Sequence, residues 1–278
     1  MHLSSRLAPP DVLVLGGGGP IGLAWQLGWL DEAAHVLGPE IPMIGTSAGA
    51  IAGALFMLGP QRRRAVMAAL RAAATSAPQS SVSKPPPPPS GPELEAAMSA
   101  CSFGDAAAIS VIGRLEIQHP ADDSHVQQVR DMVGEDWPAG DLAVVTRSVR
   151  TGERNIFRGT VSLYLAVAAS SAVPWRTSPV VIDGEEHIDG GLGSILNADL
   201  AQDVDTIWVL APAGLGAFPL RTSASKYLQR EIAALRASHT RVELFTPKSE
   251  FPDLGAFADV IRAMDDGARV ARTWLGAR

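Results

Sequence analysis

Two kinds of hydrophobic pattern follow one another in the first sixty residues. Apolar runs at 11–15 and 41–44 each end in glycine, and each run is followed by apolar and small residues at helical spacing, over 21–36 and 48–58. Short apolar runs without alternation are typical of strands that are buried on both faces. Because each run leads into a helical pattern, the sequence predicts parallel strands covered by helices.

The second half of the chain adds hairpins to this pattern. Short runs separated by glycine-containing turns predict two antiparallel hairpins, and further runs alternate with helical patterns towards the end of the chain. The predicted hairpins are 142–149 with 154–157 and 180–182 with 187–189; the predicted helices are 161–172, 223–238 and 254–275; the predicted strands are 206–211 and 242–246. We therefore expect a three-layer α/β/α fold with a mostly parallel central sheet.

One stretch interrupts these patterns. Lys84 is followed by five prolines at 85–89, and the surrounding segment 76–92 predicts an extended surface loop, because proline cannot continue a helix or a central strand. This loop is expected to be a connector, with a flap over the active site or a ligand for a proline-binding partner as alternatives. No linker separates two cores, so we expect a single domain over 1–278 in which about 76–140 forms a loop and helical cap.

Composition excludes several classes of function. The net charge of −6 provides no basic surface for nucleic acid, and the one cysteine, Cys101, cannot form an internal disulfide. No apolar run reaches the roughly eighteen residues of a membrane span. The first ten residues lack the apolar core of a secretion signal. We therefore expect a cytoplasmic protein.

The first candidate for chemistry is Ser47. Residues 45–49 read Gly-Thr-Ser-Ala-Gly, the G-x-S-x-G pattern of a nucleophile elbow, and they lie between a predicted strand and a predicted helix. A serine at a helix N-terminus has free backbone N–H groups nearby, which favour developing negative charge. The alternative is an ordinary strand-to-helix turn with a serine cap.

A nucleophilic serine requires a base. The chain has six histidines: His2, His35, His119, His125, His187 and His239. None lies in the late strand-end loop where an α/β-hydrolase places its catalytic histidine, although His239 comes nearest to that position. Asp189 ends a predicted strand and is followed by two glycines, so the sequence favours direct pairing of Ser47 with this carboxylate. His187 lies on the same strand face as Asp189 and is expected to be a hairpin residue.

The second candidate is the glycine-rich turn after the first strand. In a parallel sheet this turn opens on the same edge as Ser47, so its amides can form an oxyanion hole. Gly17, Gly19 and Gly22 also match a dinucleotide-binding fingerprint. That fingerprint requires an acidic residue at the end of the second strand, where this chain has Gly45 and Thr46. No metal is expected, because the sequence lacks paired cysteines and H-x-x-x-H pairs.

Taken together, these motifs resemble the patatin-like phospholipase family. The segments that carry the resemblance are 15–22, 45–49, 169–174 and 188–191. They occur in the family's order and spacing, and the resemblance extends over about residues 11–211.

The resemblance implies a lipid acyl hydrolase with a serine–aspartate dyad and no catalytic histidine. Ser47 is then the nucleophile, Asp189 the general base, and Gly17, Gly18 and Gly19 supply oxyanion N–H groups. The reaction implied is ester hydrolysis through an acyl-serine, without a cofactor. An acyltransferase with the same dyad and a catalytically inactive binding or regulatory member are the alternatives.

The sequence departs from the family's pattern at Ile21. Family members often carry Arg or Lys at this point of the glycine-rich loop, so its absence favours esters in general over phospholipids. Arg62, Arg63, Arg64 and Arg71 give the predicted helix at 61–74 a basic face, which is expected to be solvated. The expected partners are a lipid or small acyl-ester substrate and, transiently, a membrane surface.

Overall fold

The computed structural model describes residues 10–76, 91–101, 104–118, 124–201, 203–213, 223–237, 241–251, 253, 255 and 257–277. The strands are β1 (Val12–Leu15), β2 (Met43–Thr46), β3 (Leu142–Ser148), β4 (Arg154–Phe157), β5 (Val180–Ile182), β6 (Glu185–Asp189), β7 (Thr206–Leu210) and β8 (Arg241–Phe245). The α-helices are α1 (Gly19–Ala33), α2 (Ala48–Met57), α3 (Pro60–Ser76), α4 (Pro92–Cys101), α5 (Ala106–Gln118), α6 (Ser124–Val133), α7 (Leu163–Ser170), α8 (Ser223–Ala237) and α9 (Val260–Gly276). The prolines at 85–89 lie outside the described residues.

The sheet is mostly parallel. Its order is β5-β6-β3-β2-β1-β7-β8, and the five strands from β3 to β8 in that order run parallel to one another. β6 pairs antiparallel with β3 and with β5, and β4 also pairs antiparallel with β3. Every residue of β2 and β3 is buried, as expected of strands covered on both faces. The predicted parallel sheet and both predicted hairpins are confirmed.

Helices cover both faces of the sheet. Leu13 and Leu15 belong to a large core with α1, α2, α7 and α9, whereas Val14 belongs to a second core with Ile232 and Leu235 of α8. Successive residues of β1 thus face opposite layers, as the two-residue period of a strand requires. This arrangement confirms the three-layer α/β/α fold. None of the helices within the described ranges is both long enough and apolar enough to cross a membrane.

The region between α3 and β3 does not pack as one unit. Val129 and Val133 of α6 belong to the large core. By contrast, α4 and α5 form a small core of their own with Val149 and Ile188. Ile188 precedes Asp189, so α4 and α5 pack beside the end of β6 that carries this aspartate.

The backbones of α9 and α1 lie very close together where the two helices cross. A Cβ on Gly267 of α9 would lie 2.0 Å from the carbonyl oxygen of Trp25, and a Cβ on Gly28 of α1 would lie 2.0 Å from that of Met264. The buried Asp266 fixes the crossing, since its Oδ2 accepts a 2.9 Å hydrogen bond from Trp25 Nε1. The two helices therefore depend on glycine at both positions.

We expect Gly267→Ala to lower the free energy of unfolding by about 1–3 kcal/mol, because the new methyl group would force two packed backbones apart. Gly276→Ala on the same helix is the matched control. No atom lies within 4 Å of its Cβ position, so this variant should be neutral or slightly more stable. Thermal denaturation measures both. Equal melting temperatures for the two variants would contradict the tight crossing.

Candidate active site

Ser47 lies in a strained turn between β2 and α2. Its backbone has φ 55 and ψ −122, a conformation that costs a residue with a side chain about 1–3 kcal/mol. The neighbouring glycines make the turn sterically feasible. A Cβ on Gly49 would lie 2.0 Å from the carbonyl oxygen of Leu15, and one on Gly45 would lie 2.6 Å from Cα of Ala50. The turn therefore has the geometry of a nucleophile elbow.

The structure brings Ser47 and Asp189 into direct contact. Ser47 Oγ donates a 2.7 Å hydrogen bond to Asp189 Oδ2, and both residues are buried. The register of β3 explains why they meet: Val145 pairs with Thr46, and the next residue, Thr146, pairs with Asp189. The ends of β2 and β6 thus pair with neighbouring residues of β3, from its two sides.

Burial sets the electrostatics of Asp189. Removal from water raises the pKa of its carboxyl to about 6, while hydrogen bonds from Ser47 and from the Gly191 amide act in the opposite direction. The Gly191 amide donates to Asp189 Oδ1 over 2.6 Å, which leaves Oδ2 directed at Ser47. A carboxylate with a pKa of about 6 is still mostly ionised at neutral pH, yet it is more basic than an ordinary aspartate.

The glycine-rich turn lies beside Ser47. A Cβ on Gly17 would be 3.3 Å from Ser47 Cβ. The Gly17 amide donates to the carbonyl oxygen of Ile195 over 2.9 Å, so it is not free to bind an oxyanion. In the ranges that the structure describes, the amides of Gly18 and Gly19 donate to no protein acceptor. Since α1 begins at Gly19, these two amides lie at the positive end of its dipole.

No described histidine forms a hydrogen bond with Ser47 or Asp189. His187 Nδ1 lies 3.1 Å from Thr146 Oγ1, and burial lowers the pKa of its ring. His125 lies beside α7 and is also held below its usual pKa by burial, and His35 is on the surface. The remaining histidines, His2, His119 and His239, fall outside the described residues.

Two residues near the site escaped the sequence patterns, Ser170 and Asn197. Ser170 Oγ accepts a 2.9 Å hydrogen bond from the Ser47 amide and donates to the carbonyl oxygen of Val145 over 2.6 Å. The buried side chain of Asn197 donates a 3.1 Å hydrogen bond from Nδ2 to Thr46 Oγ1. Ser170 falls within the 169–174 segment, but a buried serine in a helix of small residues gives no separate signal of a role.

The other groups that the sequence singled out are bound in structural contacts. Arg62 donates to the carbonyl oxygens at the end of α6, and Arg63 and Arg64 share the carboxylate of Asp31. Burial raises the pKa of Cys101 to about 11, so its thiol is unreactive at neutral pH. The described residues include no group of three or more His, Cys, Asp or Glu side chains placed to hold a metal ion.

Comparison with known proteins identifies one family. A family model described as "Patatin-like phospholipase" matches residues 13–202, a range that includes Ser47 and Asp189. Among solved structures, VipD from Legionella pneumophila is similar, with a TM-score of 0.37 and 14% identity over 95% of this chain and 67% of that chain. No curated protein matches the sequence.

Proposed function

This chain belongs to the patatin-like phospholipase family, a membership that supports lipid acyl hydrolase activity in general, and we propose that it cleaves lipid or other carboxylic esters through an acyl-Ser47 intermediate. The observation that carries the proposal is the 2.7 Å hydrogen bond from Ser47 Oγ to Asp189 Oδ2. This distance suits direct proton transfer, so the pair needs no intervening histidine.

In the acylation step, Asp189 Oδ2 takes the proton of Ser47 as Oγ attacks the carbonyl carbon of the ester. The carbonyl oxygen becomes an oxyanion, which the amides of Gly18 and Gly19 stabilise by hydrogen bonds. When the tetrahedral intermediate collapses, the bond to the alcohol oxygen breaks and Asp189 returns the proton to that oxygen. The products are a free alcohol and an ester of Ser47 with the acyl group.

Deacylation repeats these roles with water as the nucleophile. Asp189 takes a proton from water as the water oxygen attacks the acyl carbon, and the same two amides hold the oxyanion. Collapse then breaks the bond to Ser47 Oγ, the proton goes back to Ser47, and the carboxylic acid leaves. A high pKa helps Asp189 to act as a base in both steps, because a more basic carboxylate accepts the proton more readily.

We propose that α4 and α5 form a cap beside this site within a single domain. Their small core includes Ile188, the residue before Asp189, so their position is coupled to the end of β6. A cap in this place would border the substrate.

The site is expected to favour neutral esters over anionic phospholipids. Ile21 is uncharged, and it is 1% exposed and packs in the large core. This position therefore offers no cation to a phosphate. We expect higher kcat/KM on a neutral glyceride than on an anionic phospholipid with the same acyl chains. Kinetics on the two matched substrates measure this. A preference for the anionic substrate that disappears in Arg176→Gln would identify Arg176, which is exposed, as the replacement cation.

The proposed function is tested by labelling and product analysis. A fluorophosphonate probe should label wild-type protein at Ser47, and hydrolysis should release the free carboxylic acid. Addition of alcohol or amine acceptors separates hydrolysis from acyl transfer, because a transferase would form the new ester or amide in preference to the acid. An intact protein that neither reacts with the probe nor cleaves esters of graded chain length would instead be a binding or regulatory member of the family.

A further inference from the structure

One buried side chain contacts both strand ends that carry the proposed dyad. Asn197 is 0% exposed, and its Nδ2 lies 3.1 Å from Thr46 Oγ1, 3.1 Å from the carbonyl oxygen of Gly190 and 2.9 Å from that of Ser194. Thr46 immediately precedes Ser47, and Gly190 immediately follows Asp189. The side-chain amide of Asn197 therefore connects the turn that carries Ser47 to the turn that follows Asp189.

Asn197 is itself held in place on every side. Its backbone has φ 50, in the left-handed region that asparagine tolerates better than most residues. The backbone amide of Asn197 donates to Ser194 Oγ over 2.8 Å, and that hydroxyl donates to the buried Glu231 over 2.8 Å. Its Oδ1 accepts a 3.2 Å hydrogen bond from Arg154, which also binds Asp199 through two 2.7 Å contacts. The side chain is thus fixed before it meets Thr46 and Gly190.

We propose that Asn197 is a positioning residue that holds Ser47 Oγ and Asp189 Oδ2 within hydrogen-bonding distance. The inference rests on the proposed function, because it assigns Asn197 a task in the serine–aspartate reaction. Proton transfer requires donor and acceptor at about 2.6–3.2 Å. A displacement of about 1 Å can lower the rate about a hundredfold, so a tie between the two strand ends has a direct effect on turnover.

A purely structural role makes a different prediction. Loss of a buried hydrogen-bonded amide destabilises any protein, which lowers the melting temperature and the fraction of folded enzyme. It does not change kcat per folded active site or the pH dependence of catalysis. A positioning role changes both, because a looser dyad transfers its proton more slowly and because Asp189 then loses the hydrogen bond that opposes the rise of its pKa.

The test compares Asn197→Gly with Asp183→Gly. Both substitutions replace a residue with φ 50, but Asp183 lies on the exposed turn of the β5–β6 hairpin. Active sites are counted with a fluorophosphonate probe, so that kcat refers to competent enzyme. For Asn197→Gly we expect kcat to fall at least about tenfold, KM to stay within about threefold, and the acidic limb of the pH profile to move to higher pH. Asp183→Gly should match the wild type.

An unchanged kcat per active site and an unchanged acidic limb in Asn197→Gly would overturn the proposal. If this variant does not fold, Thr46→Val removes one of the acceptors at nearly constant volume, and it should lower kcat about threefold or more with KM unchanged. Normal kcat in Thr46→Val would then overturn the proposal that Asn197 positions the dyad. The proposed function fails separately, when wild-type protein neither reacts with the probe nor hydrolyses esters.

Discussion

Ser47→Ala is expected to lower the rate of ester hydrolysis at least about a thousandfold, because the substitution removes the oxygen that forms the acyl bond. Ser170 cannot replace it, since its hydroxyl donates to the carbonyl oxygen of Val145 over 2.6 Å within the core. Initial rates on short p-nitrophenyl esters and labelling with a fluorophosphonate probe measure the effect. If the variant retains most of its activity, Ser47 is not the nucleophile.

Ser47→Gly provides a control for the fold. Like Ser47→Ala it lacks the hydroxyl, so both variants should be inactive, but glycine adopts φ 55 without the strain imposed by a Cβ. We expect Ser47→Gly to melt at or above the temperature of Ser47→Ala. If both inactive variants are folded at the assay temperature, the inactivity comes from the missing hydroxyl and not from unfolding. The reverse order would contradict a strained backbone at this turn.

The elements around the site follow from local sequence. Apolar runs without alternation predict β1 and β2 within one or two residues of their observed bounds, since a strand that is buried on both faces leaves little choice of residue. The G-x-S-x-G pattern identifies the turn for a related reason. Gly49 must approach the carbonyl oxygen of Leu15 so closely that no side chain fits. Local sequence specifies such contacts because one residue type alone satisfies them.

The remaining features depend on contacts between distant parts of the chain. Ile195 accepts the hydrogen bond of the Gly17 amide, so the number of free oxyanion donors could not be counted from the glycines alone. Ser170 and Asn197 contact Ser47 and Thr46, although each lies more than a hundred residues later in the chain. The closing helix, predicted over 254–275, begins at Val260, because a short 3-10 helix over Phe257–Asp259 precedes it.

Asp189→Asn should lower hydrolysis about a hundredfold or more, because the amide cannot accept the proton of Ser47. The substitution changes volume very little, and the oxygen of asparagine can still accept the hydrogen bond of the Gly191 amide. The variant should therefore fold like the wild type and bind substrate with a similar KM. Circular dichroism and steady-state kinetics check the two expectations. Full activity in a folded Asp189→Asn would exclude Asp189 as the base.

Histidine variants are the matched controls for this loss. His187 lies two residues before Asp189 on the same strand, and its ring contacts Thr146 and not the dyad. We expect His187→Ala and His239→Ala each to keep activity within about tenfold of the wild type, which corresponds to about 1.4 kcal/mol of barrier. If either variant is folded and as inactive as Ser47→Ala, the base is a histidine.

The pH profile connects these variants to the electrostatics of the site. Activity should fall as pH decreases through about 6, because protonation of the buried Asp189 removes the base. An ordinary imidazole titrates in the same range, so the wild-type profile has two candidate groups. Burial lowers the pKa of His187, which places its own titration at lower pH than that of a free histidine. The acidic limb should therefore stay in place in His187→Ala and be absent from the residual activity of Asp189→Asn. A limb that persists in Asp189→Asn and disappears in a histidine variant would assign the base to that histidine.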